Sequence, residues 1–139
     1  MILVDTNVIS EPLRREPSAA VIEWLDAQNV DTLFLAAISL AEMRFGVAAL
    51  AVGRRRDSLH QSLEQRVVPL FRGRILPFDD AASQAYASLR AKARATGNAM
   101  APADGFIAAI AAANGLIVAT RDVAPFEAAG LRVIDPWAN

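Results

Sequence analysis

The sequence predicts an α/β fold, a parallel sheet covered by helices on both faces. Three observations carry that prediction. Five short apolar runs (ILV at 2–4, TLFLA at 32–36, GRIL at 73–76, LIVAT at 116–120 and LRVI at 131–134) read as strands. They lack the polar alternation of a half-exposed sheet, so both faces are expected to be buried. Helical patterns or turns separate them, and alternating strands and helices make parallel units.

The elements follow in chain order. Ile2–Val4 is the first buried strand, and Thr6–Arg14 reads as a helix ending near Arg14–Pro17. Val21, Ile22 and Leu25 give Ser18–Gln28 a helical stripe. Thr32–Ala36 is the second strand. Leu40–Ala51 reads as a helix with Ser39 as its N-cap. Leu59, Leu63, Val67 and Leu70 predict one helix over Arg54–Leu70. After the short strand Gly73–Leu76, Asp79 caps a helix running to Ala95, with Ala82, Ala85, Tyr86, Leu89 and Ala93 on one face. Thr96–Ala101 is a loop. Pro102 is a good first residue for a helix that Asn114–Gly115 stops. Leu116–Thr120, a turn of helix at Pro125–Ala129 and the strand Leu131–Ile134 complete the chain.

Composition narrows the function. The 139 residues suit one domain, 1–139, and are 54% hydrophobic and 21% charged, too apolar for disorder. The longest uncharged run, Gly105–Thr120, is shorter than the roughly 20 apolar residues of a membrane span. The N-terminus has no basic segment of a secretory signal, and there is no Cys, so a cytoplasmic location is expected. Without Cys, thiol nucleophiles and cysteine zinc sites are excluded.

The charges are unevenly placed. Asp5, Glu42, Asp104 and Asp122 stand almost alone in apolar surroundings, whereas the other eleven acids, Glu11 among them, read as solvated. Each of the four also has a structural explanation. Asp5 or Asn7 could cap a helix, and Ser39-x-x-Glu42 matches a capping box. Asp104 suits the first turn of a helix, and Asp122 suits a turn. Together they suggest more. Asp5 and Asp122 follow strands, at the sheet rim where ligands of such folds bind. Glu42 and Asp104 open helices that are expected to start at the same rim. Four converging carboxylates repel one another unless a cation binds them, and an oxygen-only donor set points to Mg²⁺ or Mn²⁺. Thr6, Asn7, Ser39 and Thr120 could orient those acids or the water around the ion, or be ordinary caps.

A carboxylate-held divalent ion suits phosphoester hydrolysis, with no histidine base needed. The only histidine, His60, lies in an arginine-rich helix and reads as a surface residue. The overall charge of −1 separates into the four acids and a remainder of +3, and residues 44–74 carry a net +5. The basic residues are 13 Arg and one Lys, which favours planar phosphate recognition. Arg44, Arg54, Arg55, Arg56, Arg90, Arg94 and Arg121 are candidate contacts to a nucleic-acid backbone. Competing carboxylate-and-magnesium proteins fit less well. A phosphatase would want D-x-D after strand one, and a receiver domain a lysine after a late strand, where the sole lysine is Lys92, mid-helix. Phosphate-cradling glycine motifs are absent.

The segments VDTNVIS, ISLAEMRFG, APADGFIAAIA and VATRD, with GRILPFDDAASQAYASLRAKAR and the ending VIDPW, resemble PIN-domain ribonucleases. The resemblance is closest to VapC-type toxins of bacterial toxin–antitoxin modules, in the FitB-like branch, and spans nearly the whole chain. It implies a Rossmann-like sheet and a Mg²⁺- or Mn²⁺-dependent endoribonuclease. Asp5, Glu42, Asp104 and Asp122 would be the acidic quartet, with Asp5 and Asp104 ligating directly and Glu42 and Asp122 directly or through water. It also implies a homodimer, an RNA substrate and a small DNA-binding antitoxin that takes the complex to promoter DNA. One departure matters. Many relatives carry another acid before the Phe after the fourth motif, whereas this chain reads Val123-Ala124-Pro125-Phe126, so one metal is expected rather than two. The alternative is a weakly active or inactive protein serving as the dimerising half of a DNA-binding complex.

Overall fold

The computed structural model describes residues 1–138. Five parallel strands form one sheet in the order β3-β2-β1-β4-β5: β1 Ile2–Val4, β2 Leu33–Ala36, β3 Ile75–Leu76, β4 Ile117–Ala119 and β5 Val133–Ile134. β1 is central, pairing Val4 with Leu35 on one side and with Ala119 on the other. The order reverses at β1, since β2 and β3 lie to one side and β4 and β5 to the other. That reversal opens a crevice beyond the carboxyl ends of β1 and its neighbours.

The strand period of two divides the interior into two cores. Leu3, Ala36 and Val118 face one, with Ile107, Ile110 and Phe126. Val4, Leu33, Leu35 and Ala119 face the other, with Val8, Val21, Leu63 and Phe71. Helices therefore cover both faces, as the apolar strands require. They are α1 Thr6–Ile9, α2 Ala19–Ala27, α3 Ala37–Ala48, α4 Arg54–Ser62, α5 Asp80–Ala95, α6 Pro102–Asn114 and α7 Val123–Ala128. Asp79 caps α5 by accepting the Ala82 amide at 2.9 Å, and Gly115 ends α6 in the left-handed region at φ 65°. No described helix is long and apolar enough to cross a membrane.

Several expected boundaries move, and prolines explain two of them. The first helix stops at Ile9 and continues as a 3₁₀ turn over Glu11–Leu13, because Pro12 would clash with the Val8 carbonyl in a continued helix. The predicted helix 54–70 is α-helical only to Ser62. It widens to a π turn over Leu63–Val67 and tightens to a 3₁₀ turn over Val68–Phe71 around Pro69. That change of twist turns Leu70 out to solvent while Leu63, Val67 and Phe71 stay buried. Helix α3 starts three residues earlier than expected, with Ala36 at the N-cap position, so Ser39 does not cap it. β1 matches its apolar run, whereas the other four strands are one to two residues shorter than theirs, and Thr32 belongs to a 3₁₀ turn. Glu11, expected to be solvated, is buried, accepting from Arg14 and from the Ser18 amide.

Candidate metal centre

The crevice holds a cleft of about 290 Å³ lined by Asp5, Thr6, Asn7, Glu42, Ala103, Asp104, Ile107 and Asp122. All four singled-out acids line it, from four separate parts of the chain. Asp5 is the first residue after β1, its amide still bonded to the Ala119 carbonyl at 2.9 Å. Asp104 is the third residue of α6, and Asp122 follows β4 by three residues. Glu42, six residues into α3, lies near the rim because α3 leaves β2 there without a loop.

Asp5 is the fixed point of the cleft and only 4% exposed. Its Oδ1 accepts the Thr6 amide at 2.8 Å, which caps α1. Its Oδ2 accepts the buried Thr120 hydroxyl at 2.8 Å and, at a long 3.5 Å, the Asn7 amide. Thr120 Oγ1 in turn accepts the Asp122 amide at 3.0 Å, so its single proton is directed at Asp5. Asn7 also donates to Thr120 Oγ1 at 3.4 Å and accepts the Arg121 amide at 3.2 Å. Thr6 donates its hydroxyl to Glu42 at 3.4 Å. The first and fourth acidic segments are thus joined through Thr120 and Asn7, while Glu42 hangs on one long bond.

The electrostatics match a site waiting for positive charge. Burial pushes the Asp5 carboxyl above its ordinary value. The Thr120 and Thr6 bonds oppose that shift, and the charges of Asp104 and Glu42 reinforce it. Asp104 is also raised, first by burial and then by the charge of Asp122. None of the four acids has a basic partner among the described ion pairs. Arg44, next but one to Glu42, is held by both oxygens of Glu64 at 2.7 and 3.1 Å. Arg121, beside Asp122, lies over the Trp137 ring at 5.2 Å. Among the described residues no three acid or histidine side chains already stand in metal-holding geometry. The donors nonetheless suit a hard divalent ion, being four carboxylates with no histidine, cysteine or methionine in the lining. Glu42 and Asp122 are exposed and free to close on one, and Asp5 is the preset oxygen.

The remaining candidates divide. Ser39 is fully buried in α3 and its hydroxyl has no partner, so it neither caps the helix nor bonds to an acid. Arg54 and Arg55 line a separate, largely apolar groove of about 950 Å³, and Arg56 lines another hollow with His60 and Glu64. Arg55 also reaches a smaller hollow that shares Thr6 and Glu42 with the acidic cleft. Arg90 and Arg94 line a further hollow beside the loop before α6. The lining residues Ala103 and Ile107 were not foreseen; Ile107 lies one turn from Asp104 on the same helix face, which was the available signal.

Comparison with known proteins identifies the family. The PIN domain family matches residues 2–131. The chain is 59% identical to plasmid stability protein StbB of Pseudomonas syringae pv. tomato, over 99% of each chain. It is 54% identical to VapC ribonuclease Y4jK of Sinorhizobium fredii, covering 99% of this chain and 98% of that one. Toxin FitB of Neisseria gonorrhoeae is 50% identical over 99% of each. A solved structure of FitAB bound to an IR36 DNA fragment superposes with a TM-score of 0.96 at 50% identity, covering 99% of this chain and 96% of that one. With its whole length so matched, and four acids gathered at the switch point of a parallel sheet, this chain belongs to the PIN-domain family.

Proposed function

We propose that this chain is a Mg²⁺- or Mn²⁺-dependent endoribonuclease, acting as the toxin of a toxin–antitoxin pair. The observation that carries the reading is the convergence of four carboxylates, without a cationic partner, on one cleft at the sheet's switch point. Asp5 and Asp104 would hold the ion directly, and Glu42 and Asp122 directly or through water. A bound divalent ion supplies positive charge to the phosphodiester oxygens and lowers the pKa of water. The protein's part is placement. Thr120 and the Thr6 amide fix both Asp5 oxygens, so one ligand is set before the ion arrives. No side chain in the lining suits a covalent nucleophile better than water.

The relative named VapC ribonuclease supports RNA hydrolysis, and the one named toxin FitB supports a toxin's role. The FitAB–DNA assembly supports a partner protein and DNA as the place the complex occupies; a small DNA-binding antitoxin, a homodimer and promoter DNA complete the reading on the strength of the family resemblance. The same assembly favours a second reading, in which the chain serves chiefly as the dimerising half of a DNA-bound complex. Incubating the protein, free of partner, with a mixed RNA pool and Mg²⁺ or Mn²⁺ separates the two. The nuclease reading expects discrete new ends that EDTA abolishes. Intact RNA under every metal condition would leave the regulatory reading.

A further inference from the structure

We propose that Arg90 and Arg121 are the two phosphate anchors of the RNA track, each taking a backbone phosphate beside the bond positioned at Asp104 and Asp122. The inference rests on the nuclease reading and adds a substrate path to it. Its basis is a pairing of features that adjoin the acidic cleft without lining it. Arg121 directly precedes Asp122, and its guanidinium lies over Trp137 at 5.2 Å. Its backbone N–H is tied to the site by a hydrogen bond donated to Asn7 Oδ1 at 3.2 Å. Arg90 lies over the Tyr86 ring at 5.4 Å and donates Nη1 to the Tyr86 hydroxyl. It packs on the residue after Asp104: a Cβ at Gly105 would come within 3.1 Å of both Arg90 Cδ and Tyr86 Cε2. A larger residue there would push both side chains back by a few tenths of an ångström.

Both arginines therefore sit over a ring, Arg121 next in sequence to Asp122 and Arg90 packed on the neighbour of Asp104. Neither has a carboxylate partner among the described ion pairs, which engage Arg14, Arg44 and Arg74 instead. Tyr86 is itself stacked on Phe106, centroids 4.8 Å apart, with Phe78 edge-on to both. A guanidinium on such a platform has lost much of its rotamer freedom before a ligand arrives, so binding costs less ordering. Its Nε and Nη2 remain for a forked contact to a phosphate. Without such contacts, a strand of negative charge would be repelled by the four acids; two flanking cations offset that repulsion on either side of the reacting bond.

The test uses the full chain in an Asp104→Asn background, where a fluorescent single-stranded RNA can bind without being cut. Each of Arg90→Gln and Arg121→Gln should lower the slope of log affinity against log salt by about 0.7, and the double variant by about 1.4. Arg132→Gln, on the residue before β5 at the opposite rim, should leave the slope unchanged. In the active protein with Mn²⁺, the double variant should raise KM several-fold for every RNA sequence, with kcat within twofold. Tyr86→Phe removes the hydroxyl that orients Arg90 but no charge, and should raise KM while keeping the salt slope. If the parent cleaves RNA and the double variant keeps both slope and KM, the anchors are wrong and the nuclease reading stands. If the parent neither binds nor cleaves RNA, the nuclease reading fails and the anchors with it.

Discussion

Asp5 and Glu11 lie six residues apart, and each is 4% exposed. Glu11 accepts from Arg14 at 3.2 and 3.3 Å and from the Ser18 amide at 3.0 Å. Asp5 receives only neutral donors and faces Asp104 and Glu42, which raise its pKa further. Burial of a carboxylate therefore does not distinguish a site from a strut. The absence of a cation does. Glu11 ties the turn after α1 to the start of α2, and its charge is answered within the chain. The charge of Asp5 is answered by nothing in the chain, a costly arrangement unless a cation from solution completes it.

The strongest way to break that contrast is to remove each charge in turn. Asp5→Asn keeps the side-chain volume and an acceptor for the Thr6 amide. It should lower metal-dependent RNA cleavage at least a hundredfold, about 2.7 kcal/mol in the barrier, without lowering the stability of the metal-free protein. Glu11→Gln should do the reverse, leaving cleavage unchanged and costing about 1.5–3 kcal/mol in urea melts through its lost charged hydrogen bonds. Equal activity losses in the two variants would erase the distinction. The pH dependence carries the same contrast. Asp5 and Asp104 have folded-state values above the ordinary 3.8, so their contribution to stability is full below that value and is lost as pH rises through the raised ones. In EDTA the protein should weaken over that window, Asp5→Asn should flatten the loss, and Mn²⁺ should reverse it. A metal-free stability that climbs across the same window would contradict the assigned direction.

The sequence made Asp5 legible and hid Glu11. Lone acids in apolar runs stand out, and the ends of ILV and LIVAT placed Asp5 and Asp122 at the rim once a parallel sheet was inferred. All five strands and the convergence of the four acids followed from that pattern. Glu11 sat near Arg14 and Arg15 in a polar stretch, and burial there depends on how the turn at Pro12 folds back on Ser18, which no periodicity reports. The Ser39 cap failed for a related reason. The capping-box spacing to Glu42 is real, but β2 passes into α3 without a loop, so the helix begins before the serine. Arg44 turns to Glu64, twenty residues on, and Arg121 to Trp137, because tertiary packing decides among partners that composition offers equally.

A smaller effect sharpens the contrast from the side of the neutral donors. Thr120→Val keeps the shape of a fully buried side chain but removes the hydroxyl that holds Asp5 Oδ2. That bond lowers the Asp5 pKa, so its loss should raise the value further. Apparent Mn²⁺ affinity should fall about tenfold, read from the metal dependence of the melting temperature, and Thr120→Ser should restore it. An unchanged affinity in the valine variant would make Thr120 a packing residue rather than a support for the ligand.

The subtlest change would convert the strut into a second Asp5. Arg14 is 61% exposed at its side chain, so its pairing with Glu11 is partly screened and worth about 0.2–1 kcal/mol. Arg14→Gln leaves Glu11 buried, still accepting the Ser18 amide, but with no cation. The buried carboxylate then bears its desolvation with neutral donation only, as Asp5 does. The variant should therefore lose up to about 1 kcal/mol in urea melts, while cleavage and Mn²⁺ affinity stay at parental values. Arg14→Lys is the informative control, because it keeps a cation within reach of Glu11 and should recover part of the loss, whereas lost guanidinium packing would not return. Were Arg14→Gln as stable as the parent, the Ser18 amide alone would satisfy Glu11. The contrast between the two carboxylates would then rest on the crowding of acids around Asp5 rather than on the missing cation.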